Sequence, residues 1–206
     1  MNICVFASGA GSNFKAILDS IKKGYLKSKV CLLITNNPDC GAVSIAEKNN
    51  IEHIAINRKL YPDHPGRKYS DIFLKALIKN KTDIIVLAGY MKMIEPEVLK
   101  KYKNRIINIH PALLPSFGGK GMYGINVHKA VIASGVKVTG ITVHFVNERY
   151  DEGKIIFQKC CEVKNGDDEF TLQKRVLKME HRYYPRVIKS FENLEREILD
   201  SYFKGF

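Results

Sequence analysis

Asp83-Ile84-Ile85-Val86-Leu87-Ala88-Gly89 is the stretch that decides the fold. Residues 84–88 are all apolar, three of them β-branched, and Gly89 stops the run. So short and uniform a run reads as a strand covered on both faces rather than as a helix or a strand with one wet side. A strand of that kind needs helices on both sides, and the flanking sequence supplies them. A helix is predicted over residues 69–79 before it and over 95–102 after it, and a further strand over 105–109 follows. Upstream, strands over residues 2–8, 30–35 and 54–56 alternate with helices over 14–23 and 41–49. The first helix carries Phe14, Ile17, Leu18 and Ile21 at helical spacing and ends near Gly24. Residues 58–68, with two Pro and one Gly, read as an exposed loop. This alternation is the pattern of β-α-β units on a parallel sheet.

Beyond Pro111 the pattern changes. A Gly-rich loop over 116–124 leads to a helix over 127–134, then to segments 138–147 and 154–163 that alternate apolar with polar. Those two predict antiparallel strands with one solvated face. From residue 171 to 199, Leu172, Val176, Met179, Tyr183, Val187 and Phe191 form a helical stripe, and Pro185 inside it predicts a kink or a break. The fold class is therefore α/β: a Rossmann-like, mostly parallel twisted sheet flanked by helices, with an antiparallel C-terminal part and a long C-terminal helix. No repeat, linker or low-complexity tract divides it, so residues 1–206 are expected to form one domain.

The 206 residues, 45% hydrophobic and 26% charged, suffice for a single core and argue against disorder. The N-terminus lacks a basic flank, and no apolar run is long enough for a bilayer, so a soluble cytoplasmic protein is expected. The five cysteines include no Cys-x-x-Cys pair and are expected to be reduced and structural. The charge balance, 33 Lys plus Arg against 21 Asp plus Glu, favours anionic partners. The cations are dispersed between apolar positions, as in Leu99-Lys100-Lys101-Tyr102-Lys103, which suits solvated helix faces and small anions. Small-molecule substrates are expected, with no nucleic acid and no membrane, on a monomer or homodimer.

Three segments carry chemistry. Ser8-Gly9-Ala10-Gly11-Ser12-Asn13 joins the first strand to the first helix, where backbone amides and the helix dipole favour an anion. It is not a Walker loop, and Phe14 stands where the dinucleotide fingerprint needs a third Gly, so a single phosphate fits better than a pyrophosphate. The plainer reading is a glycine turn with Ser12 or Asn13 capping the helix. Asn108-Ile109-His110-Pro111-Ala112-Leu113-Leu114-Pro115 leaves the carboxyl end of a strand, and residues two apart on a strand share a face. An amide donor beside a proton-carrying His is what acyl transfer asks for, although both residues also fit a strand-end cap. In the polar loop between the last two strands, Asp151 is the carboxylate able to meet a distant His, fixing its tautomer and raising its pKa, or else a turn residue before Gly153. The six His show neither His-x-x-x-His spacing nor a Cys/His cluster, so no metal is expected.

In this order the three segments resemble the folate-dependent formyltransferase family. Its Asn-x-His-Pro-Ser/Ala-Leu-Leu-Pro stretch matches residues 108–115, its Asp-x-Gly loop matches 151–153, and similarity extends from Met1 to about Ile188. Within the family, residues 8–13 resemble the phosphate loop of members that act on phosphoribosylglycinamide. The resemblance implies direct transfer of a formyl group from 10-formyltetrahydrofolate to the amine of that substrate through a tetrahedral intermediate. By it, Asn108, His110 and Asp151 are the catalytic trio, with His110 protonated and kept so by Asp151. It further implies that Gly11, Ser12, Asn13 and Glu180 bind the phosphorylated substrate. Folate would lie along Met91, Lys92, Met93, Ile94, Asn147, Glu148, Arg149 and Tyr150, with His144 in support.

The chain departs from the family in places. Lys92 stands where Arg is common, Gly66 where some members carry an Arg for the folate tail, leaving Arg67 to replace it, and Lys154 where Pro is frequent. Two related activities, deformylation of formyltetrahydrofolate and formylation of methionyl-tRNA, occur in proteins with an added regulatory domain or a C-terminal RNA-binding extension. A binding module without activity is the third alternative.

Overall fold

A computed structural model describes residues 1–192. Among the described residues, seven strands form one sheet in the order β3-β2-β1-β4-β5-β6-β7. The strands β1 (Asn2–Phe6), β2 (Lys29–Thr35), β3 (His53–Ala55), β4 (Ile84–Leu87) and β5 (Ile106–His110) run parallel, while β6 (Val138–Phe145) and β7 (Ile155–Glu162) are antiparallel. Helices α1 (Ser12–Lys22), α2 (Gly41–Lys48), α3 (Arg67–Lys79), α4 (Pro96–Lys101), α5 (Ile125–Ser134) and α6 (Glu169–Phe191) connect and flank them.

Every residue of β4 is buried, as its unbroken apolarity requires. Alternate residues feed two cores. Ile3, Val5, Ile84 and Val86 pack with α1, α2, α5 and α6 on one face. Cys4, Phe6, Ile85 and Leu87 pack with α3 and α4 on the other. Each fully buried Ile or Val contributes roughly 1.5–3 kcal/mol of apolar transfer, so the central strands hold the frame rigidly beneath their loops.

Two expectations change. The alternation in β6 predicted a solvated polar face, but all residues of β6 after Val138 are buried. Its polar positions face a covering loop instead: Thr142 Oγ1 donates to the Ala112 carbonyl at 2.7 Å and accepts from the Leu114 amide at 3.0 Å. Only β7, at the sheet edge, stays largely exposed. Of the kink or break expected at Pro185, the break does not occur: α6 runs through it from Glu169 to Phe191. Losing one helical hydrogen bond costs about 3 kcal/mol, and burial of Tyr184, Val187, Ile188 and Phe191 around the proline offsets it. The Tyr184 hydroxyl reaches the Leu87 carbonyl at 2.9 Å and that of Ile107 at 3.1 Å, tying α6 to β4 and β5. At its start, Asp168 caps the helix by accepting from the Phe170 and Thr171 amides. The stripe residues from 193 to 199 lie outside the described residues. Among the described residues no helix is long and apolar enough to cross a membrane.

Candidate active site

Strand order reverses between β1 and β4, the place where open α/β sheets leave a crevice beyond the carboxyl ends of their strands. A cavity of about 670 Å³ occupies it, walled by the loops after β1, β4 and β5 and by the long α6. Asn108, His110, His144 and Asp151 line one part, and residues 9–13 with Glu180 line another.

At the second of these, Gly11 is the N-cap of α1 and adopts the left-handed conformation with φ 75°. A Cβ there would sit 2.9 Å from the Ala42 Cα, so close packing on α2 and the backbone conformation both demand glycine. Neither Ser12 nor Asn13 caps the helix, so the glycine turn of the plainer reading stands without its cap and the helix start has no side-chain acceptor. Instead Asn13 is buried, and its amide donates to the Glu180 carboxylate on α6. Asn13 Oδ1 is buried without a partner. Burial pushes the Glu180 carboxyl up to about 7, against the opposing pull of the Asn13 amide.

At the first, β5 presents Asn108 and His110 on the same face, as the period of a strand requires. His144, opposite Asn108 on β6, donates through Nδ1 to the Phe145 carbonyl at 2.8 Å. Its Nε2 lies 3.1 Å from the Asn108 amide nitrogen, a contact that orients the amide and leaves its second N–H for another acceptor. His110 donates through Nε2 to the Phe117 carbonyl at 2.8 Å. Asp151, at φ 58°, sets one carboxylate oxygen 3.6 Å from His110 Nδ1 and the other 3.5 Å from His144 Nε2. The Gly119 amide donates to Asp151 at 2.9 Å.

The electrostatics correct one expectation. Asp151 was expected to raise the pKa of His110 and keep it charged. Burial instead pushes His110 below its ordinary value, and the Asp151 charge and the Phe117 carbonyl only partly restore it. Burial also pushes Asp151 up, but the His144 and His110 rings and the Gly119 amide outweigh it and hold the carboxyl below the usual range.

Met91, Lys92, Met93, Ile94, Asn147, Arg149 and Tyr150 also line the cavity. Met91, Met93 and Tyr150 are more than 40% exposed, so they form an apolar, accessible rim. Glu148 and Arg67 are not on its wall. Arg67 opens α3, because the helix begins two residues before the predicted start and takes that side chain with it.

The wall residues that escaped the sequence include residues 87–90 at the end of β4, the loop 119–124, Gln173 with Leu177 on α6, and His128 on α5. His128 is buried, its Nδ1 has no partner, and burial pushes its pKa down to about 4. Its place among the apolar residues of α5 was the one available sign. Gln173 and Leu177 precede Glu180 by seven and three positions, so the helical period could have nominated them.

The family model for formyl transferases matches residues 1–188. The chain belongs to the formyl transferase family. Its relatives include the chloroplastic phosphoribosylglycinamide formyltransferase of Arabidopsis thaliana, 44% identical over 90% of this chain and 63% of that protein. The phosphoribosylglycinamide formyltransferase of Bacillus subtilis is 38% identical over 92% of this chain and 94% of its own. A crystal structure of phosphoribosylglycinamide formyltransferase from Bacillus halodurans superimposes with a TM-score of 0.86 at 36% identity, covering 94% of this chain and 96% of that one. The chain spans about three-fifths of the length of the plant relatives it matches. For a member of this family, the match covers every strand and nearly all of α6, including each residue that lines the cavity.

Proposed function

We propose that this formyl transferase moves the formyl group of 10-formyltetrahydrofolate to the primary amine of 5-phosphoribosylglycinamide. One observation carries the reading: Asn108, His110 and Asp151 converge on the same cavity as an uncapped helix start able to take a phosphate. The names of the relatives from Arabidopsis and Bacillus agree with phosphoribosylglycinamide as the formyl acceptor. Gly11, Ser12 and Asn13 would hold the phosphate through backbone amides, and Glu180 would meet the polar body of the same substrate. Methionines 91 and 93, Ile94 and Tyr150 give the apolar wall a flat heterocycle requires, with Lys92, Asn147 and Arg149 for its polar edges. No metal enters the reading. The phosphate loop falls in the first hundred residues and the trio in the remainder, within one domain.

The second N–H of Asn108 would meet the oxygen on which negative charge gathers during transfer. His110 takes the proton lost by the attacking amine, directly or through a water. Asp151 stabilises the imidazolium so formed, and His110 then returns the proton to the departing nitrogen, leaving the proton count balanced.

The test supplies 10-formyltetrahydrofolate with phosphoribosylglycinamide, with water alone, or with methionyl initiator tRNA, and follows tetrahydrofolate release. Turnover only in the first mixture is expected. Turnover with water alone or with tRNA would instead assign deformylase or tRNA formylation activity.

A further inference from the structure

Away from the cavity, α6 carries a second pattern. From residue 174 to residue 189 its exposed positions are Lys174, Lys178, Arg182 and Arg186, and every one is a cation. Spaced four residues apart, they stand one above the other on a single face, a ridge about 18 Å long at 1.5 Å per residue. None of them lines the cavity, whose α6 wall is Gln173, Leu177 and Glu180.

Helix stability does not account for the ridge, because like charges four residues apart repel and weaken a helix. The acidic side chains around α6 do not relieve it. Asp167 holds Arg175 at 2.6 Å, Glu192 takes Lys189 at 2.9 Å, Glu180 meets Asn13 in the cavity, and Glu169 lies in the first turn, before the ridge begins. Among the described residues no ion pair involves any of the four cations. Two of them are nonetheless fixed in place. The guanidinium carbons of Arg182 and Arg186 sit 5.5 and 5.2 Å from the centre of the Tyr183 ring, which stacks on Phe157 of β7 at 5.3 Å. Two guanidinium groups held on one aromatic ring offer paired donors to a phosphate with little ordering left to do.

The occupant that fits is a linear polyanion. A protein partner needs an apolar centre to its interface, and the large apolar side chain exposed on α6 is Phe170, before the ridge. A basic stripe along a helix, in a chain of pI about 9.4, is instead the footprint of a nucleic-acid backbone. Along the sequence these cations are dispersed, and no nucleic acid was expected from them; the helical period gathers four on one face. We propose that the outward face of α6 binds the sugar-phosphate backbone of single-stranded RNA without regard to its sequence, with Lys174, Lys178, Arg182 and Arg186 each meeting a phosphate. One row of charges tracks one strand. The inference goes beyond formyl transfer and does not depend on it, since a strand held on this face lies outside the cavity.

The test titrates the full chain into a fluorescein-labelled oligouridylate of twelve nucleotides and follows anisotropy. Saturable binding is expected, with Kd on the order of 10⁻⁴–10⁻⁶ M near physiological salt and a log–log salt slope of roughly −3, about 0.7 per phosphate contact. Lys174→Gln/Lys178→Gln should remove about half of that slope. Adding Arg182→Gln/Arg186→Gln should remove nearly all of it and weaken binding by about tenfold or more. Melting temperature and formyl-transfer kcat should stay near wild type in both variants, and if the quadruple variant fails to fold, the double variant decides. No saturation with the wild-type chain, or an unchanged affinity and slope in the variants, would overturn the proposal. So would tighter binding of a polyglutamate peptide or of phosphatidylserine vesicles than of the oligonucleotide, which would assign the face to an acidic protein or to a membrane surface.

Discussion

At one end of the cavity, the start of α1 offers backbone amides and a buried carboxyl, and its groups are set by the path of the chain. At the other, Asn108, His110, His144 and Asp151 form a chain of side-chain contacts in which each orients the next. The first is suited to holding a substrate in ground state and transition state alike, the second to meeting charge that appears only during transfer. Substitutions at the two ends should therefore separate into effects on KM and on kcat.

The largest expected effect is at the side-chain end. His110→Ala should cut turnover by about 10²–10⁴-fold with nearly unchanged KM values. Steady-state kinetics with both substrates checks it, and near-normal turnover would sink the assignment. Asn108→Ala should cost roughly 10²–10³-fold in kcat, as when one preorganised donor to a developing oxyanion is lost. A rise in KM alone would move Asn108 to the binding end and blur the comparison.

At the backbone end, Glu180 links binding to stability. Its folded pKa, about 7, lies above that of the unfolded chain. The native state thus keeps a proton that the unfolded state releases, and stability falls as pH rises from about 4.5 towards 7, then levels. The full penalty is about 3 kcal/mol. Glu180→Gln should remove most of that slope and raise the melting temperature at pH 8 relative to wild type, while weakening the phosphorylated substrate. Melting curves across pH 5 to 8 decide it, and an unchanged slope would assign the pH dependence elsewhere. For Gly11→Ala the left-handed backbone costs about 1–2 kcal/mol, and the 2.9 Å approach of the new Cβ to the Ala42 Cα adds to it. Its kinetic signature should be a raised KM for the phosphorylated substrate with kcat preserved.

The sheet was readable because its signals are local. The uniform apolarity of residues 84–88 announced a doubly covered strand, and β4 is buried throughout. The misreadings came where a distant segment intervenes. Thr142 looked solvated because the loop that covers it is some thirty residues away in sequence. A kink or break was expected at Pro185, and the burial of its neighbours that carries the helix through it is a tertiary fact. Likewise, Asn108 and His110 could be paired from strand period, but the desolvation that lowers the pKa of His110 depends on everything packed around it.

By itself the sequence determined the alternation of strands and helices, the parallel sheet, the glycine turn before α1 and the residue types fit for acyl transfer, all properties of neighbours along the chain. Tertiary structure alone decided that Asp151 reaches two histidines, that Asn13 meets Glu180, and that the Phe117 carbonyl claims the His110 proton. Those contacts depend on burial and on angles between segments joined by long stretches of chain, and dielectric and hydrogen-bond geometry there are set by the whole fold rather than by any local stretch.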